Sequence, residues 1–310
     1  MPINLGAYLG LGKESAYGTP VAPAVYAALT KPAKLTVNVP LADVANVNTY
    51  GPLATVPGIR WADFSAEATV TPNFLGAALS ALMGSPSSTG TAPNFVHTFT
   101  PKLVVPSFTA EHDDGVDTFR TQGVKISELA FTHSPEGFLK LVVTGMGQDR
   151  VGGAAYVAPT LESEFFFQRH LTITLNAVAL SADVEDFSLN LKMGKEALKG
   201  FGSQTISLVE IDGTAEATAQ FTLRFSSARD AARYADYTAA TARAASFDWL
   251  LNANREFKVD FANCVLSADP LVISNDALGL ARVSIQLRAL SSGGSLFTAT
   301  LKNGQAGTAY

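Results

Sequence analysis

The chain has 310 residues, 47% of them hydrophobic and only 16% charged, which rules out disorder and leaves room for two domains or one large β domain. Its 22 basic and 27 acidic residues give a net charge of −5 with no cluster of Lys and Arg, which argues against sequence-specific nucleic-acid binding. A single cysteine, Cys264, excludes an intrachain disulfide and a thiolate zinc site, while the low charge implies polar surface covered by other copies of the chain.

Residues 1–34 carry Pro2, Gly6, Gly10, Gly12, Gly18, Pro20, Pro23 and Pro32 and read as an extended arm. Met1 to Gly12 lacks the basic start of a signal peptide, so export by that route is not expected. Asn73–Met83 reads as a short buried helix with Asn73 as a possible cap and Gly84 as its stop. Its apolar part, Phe74 to Met83, is about half the ~20 residues that a membrane span needs. Ser85–Pro93 reads as a surface loop. A three-strand meander follows, near Leu103–Ala110, Thr118–Phe131 and Phe138–Thr144, with turns at Asp113-Asp114-Gly115 and Ser134-Pro135-Glu136-Gly137.

Beyond a Gly-rich linker, period-two alternation dominates. From Thr214 to Phe225, Ala215, Ala217, Ala219, Phe221, Leu223 and Phe225 fall on one side, and Thr214, Glu216, Thr218, Gln220, Thr222 and Arg224 on the other. Leu171 to Asn176 and Arg282 to Ala289 alternate in the same way, so antiparallel sheet with one wet face is expected. Ser227–Ala245 reads as the second helix, opened by Ser227 and Asp230 in the spacing of a capping box. Residues 291–310 read as a Gly-, Ser- and Thr-rich tail.

Two matches link the halves. Asp63 to Thr69 and Asp212 to Thr218 share the pattern Asp-x-Ser/Thr-Ala-Glu-Ala-Thr, each ahead of a helix. Gly137 to Val143 then resembles Gly279 to Ile285, in the same order. The expected organisation is a mainly β chain of two tandem antiparallel sandwich or barrel domains: residues 1–150 with the arm, a linker at 151–160, and residues 161–310 with the tail.

Chemistry is sparse. His97, His112, His133 and His170 lack metal-ligand spacing and read as solvated strand or loop residues. Glu111, His112, Asp113, Asp114 and Asp117 form an acidic cluster that could bind a hard cation, with a charged hairpin tip as the simpler reading. Gly10 to Glu14 superficially resembles a phosphate loop but has Glu14 at the magnesium position. Cys264 reads as a small buried residue, and Trp61 and Trp249 as core or interface anchors. No residue set stands out as a catalytic, cofactor-binding or metal site, which points away from an enzyme.

Leu9 to Pro23 resembles the amino terminus of tail tube proteins of long, non-contractile-tailed bacteriophages. So does the block Ser107–Asp149, with Phe119-Arg120, Gly123-Val124 and Gly137–Gly147. The resemblance implies a structural virion protein, assembled in the host cytoplasm, whose rings stack into a hollow tube for genome passage. Its partners would be further copies of itself, the tape-measure protein, the tail terminator and tip proteins, and viral DNA in transit. Single-domain relatives build six-fold rings, so two domains per chain imply a pseudo-hexameric homotrimer. Glu67, Glu128, Asp149 and Glu216 are then the acids expected at the lumen, and Leu9, Tyr17 and Pro20 belong to an inter-ring arm. The competing class is a carbohydrate-binding or adhesin-type β-sandwich, which would display clustered aromatics on a sheet face.

Overall fold

A computed structural model describes residues 7–44, 51–113, 118–134, 136–152, 159–180, 184–270, 273–275, 281–291 and 294–310. The first half runs through β1 (Tyr8–Lys13), β2 (Val25–Ala28), β3 (Lys34–Asn38), β4 (Leu41–Val44), β5 (Ala54–Pro57) and β6 (Trp61–Thr69) into α1 (Pro72–Met83). It continues with β7 (Ser87–Thr91), β8 (Asn94–Phe99), β9 (Phe108–Asp113), β10 (Thr118–His133), β11 (Lys140–Gly147) and β12 (Asp149–Gly152). The second half contributes β13 (Leu171–Leu175), β14 (Val178–Ala179), β15 (Val184–Leu198), β16 (Leu208–Arg224) and α2 (Ser227–Thr238). It closes with β17 (Arg243–Asn252), β18 (Arg255–Leu266), β19 (Ile273–Asn275), β20 (Ala281–Ala289) and β21 (Thr298–Asn303). The expected mainly β, antiparallel character is what the structure has.

A wide sheet runs β3-β6-β11-β10-β15-β16-β20-β19. A second sheet, β7-β8-β21-β18-β17-β13-β14, joins it where the end of β18 pairs with the end of β20. Side chains between the two form the core: Phe131 meets Phe257 at 5.2 Å, Phe187 meets Phe247 at 5.3 Å, and Trp249 stacks on Phe257 at 5.1 Å. Both sheets draw on both halves. In the wide sheet β10 pairs with β15 from Glu128 opposite Lys192 to His133 opposite Phe187, and in the other β8 pairs with β21. Of the linker expected at 151–160, residues 153–158 lie outside the described residues.

The amino-terminal part of β10 leaves the wide sheet and pairs with β9 and β12; β9 pairs in turn with β1, and β1 with β2. β1 is therefore a central strand, and Tyr8, Leu9 and Leu11 are buried in it. The arm expected over residues 1–34 is, from Tyr8 to Lys13, part of the core. Its glycines mark close approach: a Cβ on Gly10 would lie 2.7 Å from the Pro23 side chain, and one on Gly12 would lie 2.6 Å from the Ala22 carbonyl oxygen. The expected carboxy-terminal tail likewise contains β21, with Ala299 and Leu301 fully buried.

Helix α1 is buried along its length except at Asn73. Thr71 is the N-cap and Pro72 opens the first turn, so Asn73 lies inside the helix, where its N–H donates to the Glu162 carboxylate at 3.1 Å. Helix α2 ends at Thr238, short of the expected Ala245, because Ala240 takes a left-handed conformation and β17 begins at Arg243. The loop expected at Ser85–Pro93 includes the edge strand β7.

The repeated order is present, in a different register. β3-β6-β11 recurs as β15-β16-β20, with α1 following β6 and α2 following β16. Glu67 lies opposite Val142, and Thr222 opposite Ser284. By pairing and by helix start, the counterpart of Asp63–Thr69 is therefore Thr218–Arg224, not Asp212–Thr218. The match between β11 and β20 needs no such correction over its described part, residues 139–143 and 281–285.

The placement of β1 makes a measurable difference. Leu9→Ala should cost about 2–5 kcal/mol by chemical denaturation, as for a fully buried leucine, whereas Pro20→Ala on the exposed loop should stay within ~0.5 kcal/mol. An unmoved transition for Leu9→Ala would show that the strand is not part of the core.

Candidate functional site: the polar face of the wide sheet

Along each strand of the wide sheet the side chains alternate between the core and an open face. Directly opposed residues on that face form ladders across both halves. One ladder reads Lys34, Ser65, Thr144, Glu128, Lys192, Glu216. The next includes Glu67, Val142, Ala130, Asn190, Thr218 and Arg288. A third reads Thr69, Lys140, Thr132, Ser188, Gln220, Gln286. The face is hollowed: depressions of about 370 and 350 Å³ are lined by Thr132, Ser188, Gln220 and Thr222, and by Asn190, Thr218 and Gln286.

Three of the four expected lumen acids come together here. Glu128 and Glu216 flank Lys192 on neighbouring strands, and Glu128 also accepts from Asn190 Nδ2 at 2.6 Å. Glu67 is 2.6 Å from Lys31 Nζ and 3.9 Å from Lys140 Nζ, and Lys31 above all holds its carboxyl below the usual carboxylate range. At the far corner Arg282, and then Arg224, depress Glu185 in the same way. Asp149 is elsewhere: it lies on β12, beside β10, and is paired with Arg60 at 2.6 Å.

The face is thus mixed in sign, with hydroxyls and amides between the charges. Lys31, Lys140, Arg224 and Arg282 sit beside carboxylates, and Lys192 lies between Glu128 and Glu216, whereas Lys34 and Arg288 lie opposite Ser65 and Thr218. Net charge alone could not reveal this, because pairing partners come from strands distant in sequence.

The expected arm residues scatter. Leu9 is in the core, Tyr17 is half-buried, and Pro20 is exposed on the loop after β1. Glu14 anchors that loop by accepting from the N–H groups of Gly18 at 2.9 Å and Gly123 at 2.8 Å and from the Thr109 hydroxyl at 2.9 Å.

One exposed apolar element that the sequence did not single out is the hairpin of β4 and β5. These strands pair only with each other among the described residues, and Leu41 (67% exposed), Val44 and Val56 stand open on them, with Leu53 (64%) just before β5. The alternation is short and β-branched residues are few, so only exposure in the folded chain identifies it.

Other candidates take structural places. His97 is fully buried and bonded to Ser88 Oγ at 2.8 Å and Asn303 Oδ1 at 3.1 Å; burial lowers its pKa, and the neutral ring fits this network. His112 and His133 are also buried, so the solvated placement expected for the histidines fails for three of four. Burial changes the acidic cluster too: Glu111, His112 and Asp113 are buried on β9 rather than at a tip, while Asp114 and Asp117 lie outside the described residues. Glu111 accepts from the Tyr8 hydroxyl at 2.8 Å and pairs with Arg120. Among the described residues no group of three or more His, Cys, Asp or Glu side chains could hold a metal ion.

Cys264 is buried in β18 with its thiol pKa pushed up to about 12. Trp249 is a core anchor, and Trp61 is half-buried under Lys199 Nζ, 4.7 Å from the ring centre. No helix among the described residues is long and apolar enough to cross a membrane.

No curated protein matches the chain. The family model described as phage tail tube protein matches residues 5–289, from before the first described strand to the end of β20. A match of that extent, over the whole of the wide sheet, shows that this protein belongs to the phage tail tube family, whose members are structural components of the virion.

Proposed function

We propose that three copies close into a ring, that rings stack into a tube, and that the polar face of the wide sheet is the inner wall over which DNA passes. The observation that carries this reading is the continuity of that face across both halves: one side is core, and the other is hollowed, polar and mixed in sign. A wall on which acids and hydroxyls separate the bases offers DNA little to hold, since phosphate affinity grows with each neutralised phosphate. The family assignment supports a non-enzymatic role and self-assembly. In this reading the tape-measure protein fills the bore before the DNA, terminator and tip proteins cap the ends, and assembly takes place in the host cytoplasm.

Geometry favours three chains. Each contributes eight strands to the wide sheet. About 24 strands at ~4.8 Å spacing and ~40° tilt close at a backbone diameter of roughly 48 Å, which leaves a bore for one duplex after the inner side chains; six chains would double it. Stacking needs an axial contact, and the exposed apolar hairpin of β4 and β5 supplies one better than the residues first expected there. Surface of that kind is normally covered.

Electron micrographs of concentrated protein should show hollow, cross-striated tubes; uniformly dispersed particles would contradict the proposal. Glu128→Lys with Glu216→Lys should leave tubes intact but slow DNA ejection, because the acids beside Lys192 are lost. Ejection at the normal rate through such tails would place the face away from the channel.

For stacking, Leu41→Asp with Val56→Asp should leave the melting transition within about 1 kcal/mol of the parent, since both side chains are exposed, and should stop tube elongation. Tubes of normal length would remove the hairpin from the axial contact.

A further inference from the structure

The wide sheet contains, within one chain, a junction between its two repeated units, and its outer edges are the two halves of the same junction. β3 stands in the first unit where β15 stands in the second: Leu35 is opposite Phe64 as Leu189 is opposite Ala219. On β15 the next neighbour is β10, with Phe131 opposite Leu189 and Thr132 opposite Ser188. On β3 the corresponding edge has no partner strand among the described residues.

At the other end, β19 stands where the end of β10 stands. Ser274 is opposite Arg282 as Thr132 is opposite Lys140, and Ile273 is opposite Val283 as Phe131 is opposite Leu141. The second edge of β19 is also without a partner strand among the described residues. Each chain therefore carries one edge of each kind, and the pairing that would satisfy both is already made once between its own units.

We infer that β19 of one copy hydrogen-bonds to β3 of the next, in the register of β10 with β15: Ile273 opposite Leu35, Ser274 opposite Lys34, and Asn275 opposite Ala33. This rests on the ring reading and specifies its seam. Two different edges meet, so the contact is heterologous and must either close or run on. Closure leaves no free backbone edge on the wide sheet, which removes the template for uncontrolled strand addition. Within one chain the two edges are separated by seven strand spacings, about 34 Å along the sheet at ~4.8 Å each, so the pairing cannot be intramolecular.

Disulfide trapping tests the register. Residues opposed across antiparallel strands have Cα atoms about 4.5–5.5 Å apart, within disulfide range. Lys34→Cys with Ser274→Cys, assembled and then oxidised, should give dimers and closed trimers on a non-reducing gel, with little above three. Ala33→Cys with Asn275→Cys should do the same, which guards against one pair disturbing the fold. Asn38→Cys with Ser274→Cys, four residues out of register, should remain monomeric. Cys264 is buried and does not compete.

Micrographs of the same samples separate this seam from the tube reading. Tubes without in-register crosslinks, or with equal crosslinking by the offset pair, overturn the seam and leave the tube. In-register crosslinks without tubes support the seam and overturn the tube. Dispersed protein with no crosslinks overturns both.

Discussion

The pairing of β10 with β15, six residues on each strand from Glu128 opposite Lys192 to His133 opposite Phe187, is the constraint on which the other features depend. It sets the two repeated units side by side in one sheet. On the inner side it buries Leu129, Phe131, Phe187, Leu189 and Leu191, each worth ~1.5–3 kcal/mol when removed from water. On the outer side it aligns Glu128, Ala130 and Thr132 with Lys192, Asn190 and Ser188, and so makes the polar face continuous. Side chains alternate with period two, so a slip of one residue at this junction would turn apolar side chains to water and polar ones to the core. Register and the continuity of the polar face are therefore fixed by the same contacts.

Charge on the polar face acts mainly on specificity. Exposed pairs such as Lys31 with Glu67 contribute ~0–1 kcal/mol, too little to hold the sheet together. Their effect is to set Lys31 and Lys140 beside Glu67 and Arg224 and Arg282 beside Glu185, while the stretch Thr132, Ser188, Gln220 and Gln286 of the third ladder carries no charge. A surface of that kind repels DNA little and binds it little, which suits a conduit better than a strongly acidic wall that would resist entry.

The elements most legible in the sequence were those whose alternation is strict and whose one face is buried. β16 and β20 could be read from period two alone, and α1 from an apolar run bounded by Pro72 and Gly84. β1 could not, because Gly10 and Gly12 look like flexibility until Pro23 and Ala22 are seen packed against them. Nor could β7, a Ser-, Thr- and Gly-rich edge strand held by β8. The repeat showed why alternation has limits: a strand of Ala, Thr and Glu at period two matches itself at any even shift, so Asp63–Thr69 found a partner six residues from its structural counterpart. Of the expected lumen acids, Glu67, Glu128 and Glu216 shared a face because they lie on wet positions of paired strands, while Asp149 lies on a strand that pairs away from them. No sequence pattern distinguishes those two situations.

The central claim is that a chain of two repeated units, joined edge to edge, forms the inner wall of the tube with its polar face. A helical reconstruction of assembled tubes tests it most directly. The account predicts three chains per ring, a continuous sheet around the channel, and Thr132, Ser188, Gln220 and Gln286 pointing into it. Six chains per ring, or those four residues on the outside of the tube, would contradict it.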